Sequence, residues 1–236
     1  MRIGAIIQAR MSSRRLPGKV LRCALGKPLL LYLHDRISRC SFLDAVIVST
    51  STRQSDDPIA ELCRRSDIAC FRGSLHNVAA RFNDTLEVYQ LDAFVRISGD
   101  SPLLDQRLID QALALFRRKP CDLVSNVFPR TFPPGQSVEV VHRKAYRRTL
   151  ALMTDKYDRE HVTPFFYRHP DRYRIVNMSA DREYGRLHLA VDTLQDFEAF
   201  EAIVRQMESP HWQYSLEQIV DLHGRLATPS TEASNG

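Results

Sequence analysis

No apolar run in the 236 residues approaches the roughly 18 that a membrane-spanning helix needs, so no segment is expected to cross a bilayer. The chain goes from Arg2 straight into a strand, without the long apolar core and small-residue cleavage site of a secretion signal. A cytoplasmic location is the expectation. Cysteine is sparse: Cys23, Cys40, Cys63, Cys70 and Cys121 are odd in number and include no C-x-x-C, so neither a disulfide framework nor a zinc site is expected. The histidines form no H-x-x-x-H or H-E-x-x-H spacing, and no G-x-S-x-G elbow marks a serine hydrolase. Two phosphate loops are excluded by spelling. Gly18-Lys19 is followed by Val20, so there is no G-x-x-x-x-G-K-[ST]; no G-x-G-x-x-G occurs either, which removes the main support for a dinucleotide-binding fold. Aromatic residues do not alternate with basic ones as in an RNA-stacking sheet, and no basic block is dense enough for a tail.

What is present is ordinary for a globular chain. With 44% hydrophobic and 26% charged residues, it can build one large α/β domain or two small ones. A net charge of +5 admits an anionic partner, and a small negatively charged substrate fits it as well as nucleic acid does.

The most informative stretch runs from Ile6 to Lys19. Ile3, Ala5, Ile6 and Ile7 read as a short buried strand; the chain then turns small, polar and basic and ends in Leu16-Pro17-Gly18-Lys19. Pro17 fixes one backbone angle and Gly18 frees the next, so a defined turn is predicted. Backbone N–H groups beside Arg10, Arg14 or Arg15, and Lys19 suit a polyphosphate, although a basic loop also reads as plain solvated surface.

Strand and helix patterns then alternate. Helices are predicted over 27–40, over 58–65 with Asp57 as N-cap, over 74–90, and from a cap at Asp105 to about residue 118. Strands are predicted over 45–50, 68–71 and 93–98, with 122–127 extended. A long Pro-rich loop at 128–135 hints at function by its length, and a strand follows at 138–141. Helices at 144–153 and 159–168, strands at 174–178 and 187–191, a capping box at Thr193 and Asp196, and a last helix over 215–226 complete the pattern. This alternation predicts βαβ units and a parallel sheet, becoming mixed after residue 128. One domain over 1–227 is expected, with about 128–185 as a substrate loop, lid or dimer arm and 228–236 as a disordered tail.

In open α/β sheets ligands bind beyond the carboxyl ends of the strands. There the chain places the basic loop, Ser49-Thr50-Ser51, Gly99-Asp100-Ser101-Pro102 and Asp192-Thr193. Two convergent carboxylates beside a basic loop suggest a phosphate with magnesium, which takes one or two carboxylates and completes its shell with phosphate and water. The alternative is that Asp100 and Asp192 merely cap the elements after them. Gly99 would remove bulk where a ligand approaches. His161, in Asp158-Arg159-Glu160-His161, reads as a proton carrier or substrate donor, or as a histidine with no such task. Asp56-Asp57 and Asp181-Arg182-Glu183 read as solvated turns.

Ile-Ile-Gln-Ala-Arg-Met-Ser-Ser-Arg-Arg-Leu-Pro-Gly-Lys-Val-Leu from residue 6, with Phe71-Arg72-Gly73-Ser74, Arg96-Ile97-Ser98-Gly99-Asp100-Ser101-Pro102-Leu103, Val138-Glu139-Val140, Arg159-Glu160-His161-Val162-Thr163-Pro164 and Val191-Asp192-Thr193, resembles the sugar cytidylyltransferases. The likeness is closest to their spore-coat polysaccharide branch, related to the CMP-sialate and CMP-deoxyoctulosonate synthetases. The resemblance implies an α/β, nucleotide-diphospho-sugar transferase (GT-A-like) fold: a mixed, mainly parallel sheet flanked by helices, often dimeric. It implies transfer from CTP to an acidic or unusual sugar, giving a CMP-sugar and pyrophosphate for surface-glycan synthesis, with Mg²⁺ on Asp100 and Asp192. Arg10, Lys19 and Asp100 are the expected catalytic residues. Gln8, Ala9, Arg10, Ser12, Arg15, Lys19, Thr50 and Ser98 are the expected nucleotide contacts, and Glu139, Arg159 and His161 the expected sugar contacts. Ser12, Arg14 and Pro134-Gly135-Gln136-Ser137 depart from the family pattern, the last where the sugar is expected to bind.

Two competitors remain. A glycosyltransferase of the same fold would carry a D-x-D after a strand, and Gly-Asp-Ser-Pro lacks the second acid. A basic nucleic-acid-binding protein would bind generic DNA or RNA and turn over no nucleotide.

Overall fold

The computed structural model describes residues 1–185 and 187–227; the expected tail at 228–236 lies outside them. Its strands are β1 (Ile3–Gln8), β2 (Cys23–Ala24), β3 (Lys27–Pro28), β4 (Ala45–Ser51), β5 (Ala69–Gly73), β6 (Ala93–Ser98), β7 (Leu123–Ser125), β8 (Glu139–His142) and β9 (Ile175–Asn177). Its helices are α1 (Leu29–Ile37), α2 (Asp57–Arg65), α3 (Val78–Val88), α4 (Gln106–Arg118), α5 (Arg143–Leu150), α6 (Lys156–His161), α7 (Pro164–Arg168), α8 (Leu194–Arg205) and α9 (Leu216–Ala227). Seven strands form one sheet in the order β5-β4-β1-β6-β8-β7-β9. β5, β4, β1 and β6 run parallel, and β8 is antiparallel to both β6 and β7. The sheet is therefore parallel over the first half of the chain and mixed beyond residue 128, as the pattern predicts.

Strand periodicity sorts the core between two faces. Ile3, Ala5 and Ile7 of β1 join Leu29, Leu33, Ile109, Leu113, Phe200 and Ile219 on one face. Ile6 faces the other way, with Phe82, Phe94, Tyr146 and Phe166. Phe94 meets the Tyr146 ring edge-on at 4.9 Å, and the Tyr146 hydroxyl donates to Ala79 O at 2.8 Å. This second face carries α3, α5 and α7, and it opens into the cleft described below.

Three expected elements differ. The strand at 187–191 is absent, because its amides find loops rather than a neighbouring strand: Leu189 N–H donates to Pro134 O and Val191 N–H to Asp100 O, each at 2.8 Å. The helix at 159–168 is two helices broken at Val162, whose φ of 75° no helix can continue. Asp57 is the first residue of α2 rather than its cap, and it pairs with Arg72 at 2.6 Å.

Far from the cleft, Lys27, Asp35 and His211 tie β3, α1 and the segment before α9 together. Burial opposes ionisation of Asp35, but His211, 3.7 Å away, and the hydrogen-bonded Lys27 override it and hold the carboxyl at about 2. A folded value below the unfolded value of about 3.9 gives stability that is full above pH ~4 and lost as pH falls toward 2. Asp35→Asn is therefore expected to lower the urea midpoint at pH 6, with the gap to the parent closing near pH 2. A gap that persists in acid would refute this.

Candidate active site

β1 delivers the chain to Gln8, and residues 9–19 then fold back on themselves. Gly18 adopts φ 69°, and the N–H groups of Gly18 and Ser13 both donate to Met11 O at 2.9 Å. Met11 is held in turn, its N–H donating to Asp56 Oδ1 at 2.8 Å. Asp56 is 0% exposed and also accepts from the Ser51 hydroxyl. The Asp56 half of the expected solvated turn is thus a buried brace under the basic loop. The amides of Ser12, Arg14 and Arg15 have no partner among the described residues, which leaves donors for anionic oxygens.

The two strand-end carboxylates meet at one cation. Lys19, only 8% exposed, donates through Nζ to Asp100 Oδ2 at 2.8 Å and to Asp192 Oδ1 at 2.9 Å. Arg15 Nη2 lies 2.9 Å from the second Asp192 oxygen. Neither aspartate is a helix cap. Asp105 caps α4, and Thr193 with Asp196 forms the predicted capping box of α8. The Asp192 N–H itself donates to Asp196 at 3.0 Å, leaving the Asp192 carboxylate to face the cleft. Burial works against its charge, but the hydrogen bond and charge of Lys19, with Arg15 and His188, hold its pKa below the ordinary value.

Gly99 lines the cleft and has a second job. A Cβ there would meet Gln8 O at 2.8 Å and Ala9 Cβ at 3.3 Å, so the glycine lets the loops leaving β1 and β6 close together. Its N–H donates to the same Gln8 oxygen at 2.8 Å, which fixes Asp100 beside the basic loop.

Two carboxylates converging on an ammonium are a hard-oxygen pair that already accepts a cation. Among the described residues no set of three His, Cys, Asp or Glu side chains could hold a metal. Asp100 and Asp192 thus fit an ion that takes its other ligands from phosphate and water, as magnesium does.

The cleft around this centre has a volume of about 1200 Å³. Gln8, Arg10, Ser12, Arg15, Lys19, Ser98, Asp100, Arg159, His161 and Asp192 line it together. Ala9, Thr50 and Glu139 do not. Ala9 and Thr50 are buried, and Glu139 lies beneath the cleft paired with Arg96 at 2.7 Å. Residues 134–137, where the sugar was expected, also lie outside the lining. Arg10 Nη2 pairs with Glu160 of α6 at 3.0 Å, drawing α6 over the basic loop. Burial lowers the His161 pKa, Arg96 and Arg10 lower it further, and Glu160 opposes them, so the imidazole is neutral near pH 7. Leu75, His76, Asn77, Arg96 and Lys156 also line the cleft and were missed from sequence. Only Arg96 carried a signal: an arginine in the middle of an apolar strand.

Fold and cleft together define a class, a nucleotidyltransferase built on a mixed α/β sheet. The same architecture recurs in a cytidylyltransferase from Leptospira borgpetersenii, at a TM-score of 0.91 and 26% identity over 96% of this chain and 95% of that one. The chain belongs to the cytidylyltransferase family, whose profile matches residues 4–231, and it is a CTP-dependent nucleotidyltransferase. It is 30% identical over 236 residues to the spore coat polysaccharide biosynthesis protein SpsF of Bacillus subtilis, a match covering 96% of each. A shorter match to the 3-deoxy-manno-octulosonate cytidylyltransferase of Pelobacter propionicus, 31% identical over 116 residues, covers 48% of this chain and 44% of that one. The family is the one that the opening motif resembles. No described helix is long and apolar enough to cross a membrane.

Proposed function

We propose that the protein catalyses Mg²⁺-dependent transfer of CMP from CTP to a hydroxyl of an acidic sugar, releasing pyrophosphate, in the synthesis of a surface glycan. The observation that carries this reading is the meeting of Asp100, Asp192 and Lys19 beside a basic turn with amides that have no partner among the described residues. The nature of the relatives, a spore coat polysaccharide protein and a sugar-acid cytidylyltransferase, supports the acceptor class.

Transfer at phosphorus asks the protein for alignment and charge neutralisation more than for covalent chemistry. Asp100 and Asp192 would hold the magnesium ion. Bound there, it would draw charge from the phosphate oxygens and lower the pKa of the attacking hydroxyl. The amides of Ser12, Arg14 and Arg15 cradle the triphosphate, and Arg10 and Arg15 balance its charge. Lys19, released from the aspartates, stabilises charge on the departing pyrophosphate. His161, neutral and beside Arg10, can accept a hydrogen bond from the sugar.

The test is pyrophosphate release from each nucleoside triphosphate with Mg²⁺ and a panel of sugar acids. No release with any pair would overturn the reading; release with another nucleotide alone would overturn the base assignment. Arg10 must leave Glu160 to reach phosphate, and a partly exposed ion pair is worth ~0.2–1 kcal/mol. Glu160→Gln is therefore expected to lower KM for CTP by about 1.4- to 5-fold. An unchanged or raised KM would show that the pair does not compete with the nucleotide.

A further inference from the structure

We infer that Arg96 binds the carboxylate of the acceptor sugar acid and that Glu139 and Tyr167 hold it in position from beneath; the inference rests on the function proposed above. Arg96 stands in mid-strand, opposite Ile6 of β1 and Glu139 of β8. A guanidinium there displaces an apolar side chain and is costly to bury unless paired. Glu139 supplies the pair, Oε2 accepting from Nη1 at 2.7 Å, with the Arg96 side chain 19% and the Glu139 side chain 3% exposed. Glu139 is fixed in turn. Tyr167 donates its hydroxyl to Oε1, and Ser125 Oγ lies 2.8 Å from that hydroxyl. Burial and the charge of Glu139 hold the Tyr167 hydroxyl well above its ordinary value, so it keeps its proton and donates. Arg96, Glu139 and Ser125 cross three adjacent strands in register, a polar row under an otherwise apolar face.

A purely structural pair would use more of the fork. Here Nε is buried, and neither it nor Nη2 has a partner among the described residues, while Arg96 lines the cleft. Arg96 also acts on the charge of His161, which places it beside α6 with Lys156 and Arg159. Leu75, His76 and Asn77, between β5 and α3, also line the cleft. None of these three is Lys, Arg, Asp or Glu, and they suit a neutral base. The phosphates belong to the basic loop, and Arg96 is left for the acceptor's own anion. A guanidinium held by one carboxylate keeps its planar fork oriented for a second.

The test is steady-state transfer by the parent, Arg96→Gln, Arg96→Lys and Tyr167→Phe, with a 2-keto sugar acid and its C1-carboxamide analogue, beside calorimetric CTP binding. The parent is expected to show a KM about 100-fold lower for the acid than for the amide, the scale of a charge-assisted contact. In Arg96→Gln the acid KM rises about 100-fold and the preference collapses, with CTP affinity held within about twofold. Arg96→Lys, which keeps the charge and loses the fork, falls between. Tyr167→Phe raises the acid KM about 3- to 10-fold without changing CTP affinity, a split that a general loss of packing would not give. A parent that accepts amide as well as acid overturns the inference whatever the variants do. So does an Arg96→Gln or Arg96→Lys enzyme that keeps the full preference. A parent that releases no pyrophosphate with any pair overturns the function itself, while one that transfers only to neutral sugars overturns the role of Arg96 alone.

Discussion

Asp100→Asn is expected to lower kcat for cytidylyl transfer by about 10³, the loss seen when a preorganised electrostatic group is removed from a reacting centre. The substitution keeps the shape of the side chain and removes its charge. Asp100 is well suited to such a test because it supports little else. It caps no helix, and among the described residues its side chain accepts only from Lys19 at 2.8 Å and Ser101 Oγ at 3.4 Å. Its backbone carbonyl, which receives Val191 N–H at 2.8 Å, is untouched by the change. Lys19 keeps its second partner, Asp192. The circular dichroism spectrum should therefore match the parent, and the Mg²⁺ concentration for half-maximal rate should rise. Near-parental turnover would reduce Asp100 to a loop residue and remove half of the proposed ion site.

Much of this centre was legible because its residues sit where simple rules look. Asp100 and Asp192 end apolar runs, and Pro17-Gly18 announces a turn. The sheet could be read because buried strands and amphipathic helices alternate with clear periods. What escaped depends on contacts that spacing does not encode. Asp56 looks like surface charge in Ser55-Asp56-Asp57; its burial follows from a backbone N–H at Met11, 45 positions away. The run at 187–191 has the composition of a strand, but its partners are the carbonyls of Pro134 and Asp100, which lie in loops. Glu139 stands out in Val138-Glu139-Val140, yet it serves Arg96 rather than lining the cleft, and Arg96 is inconspicuous inside a strand motif. Nothing local forecasts that a β-branched residue, Val162, takes a positive φ and splits one helix into two.

Gly135→Ala carries the second large effect, and it reaches the same carboxylates from the far side. Gly135 adopts φ 96°, and a Cβ there would lie 2.4 Å from Leu189 C and 2.5 Å from Ala190 N. Both obstacles are backbone, so no rotamer change relieves them; the turn and the segment at 187–192 must move apart. That segment carries Asp192 and is stitched to Pro134 O through Leu189 N–H at 2.8 Å. The turn has little freedom to give, because Gln136 is buried, accepts from Asp105 N–H and donates to Leu103 O, each at 2.8 Å. Left-handed strain of ~1–2 kcal/mol adds to overpacking of ~1–3 kcal/mol, so a loss of about 2–5 kcal/mol is expected in urea unfolding. The displaced Asp192 should also raise the Mg²⁺ concentration for half-maximal rate in the fraction that remains folded. Gly26→Ala separates the two costs. Its φ is 77° with nothing within 4 Å of the new Cβ, so it should lose only about 1–2 kcal/mol and keep parental kinetics. Equal losses for the two variants would show that the close approach at Leu189 and Ala190 does not constrain Asp192.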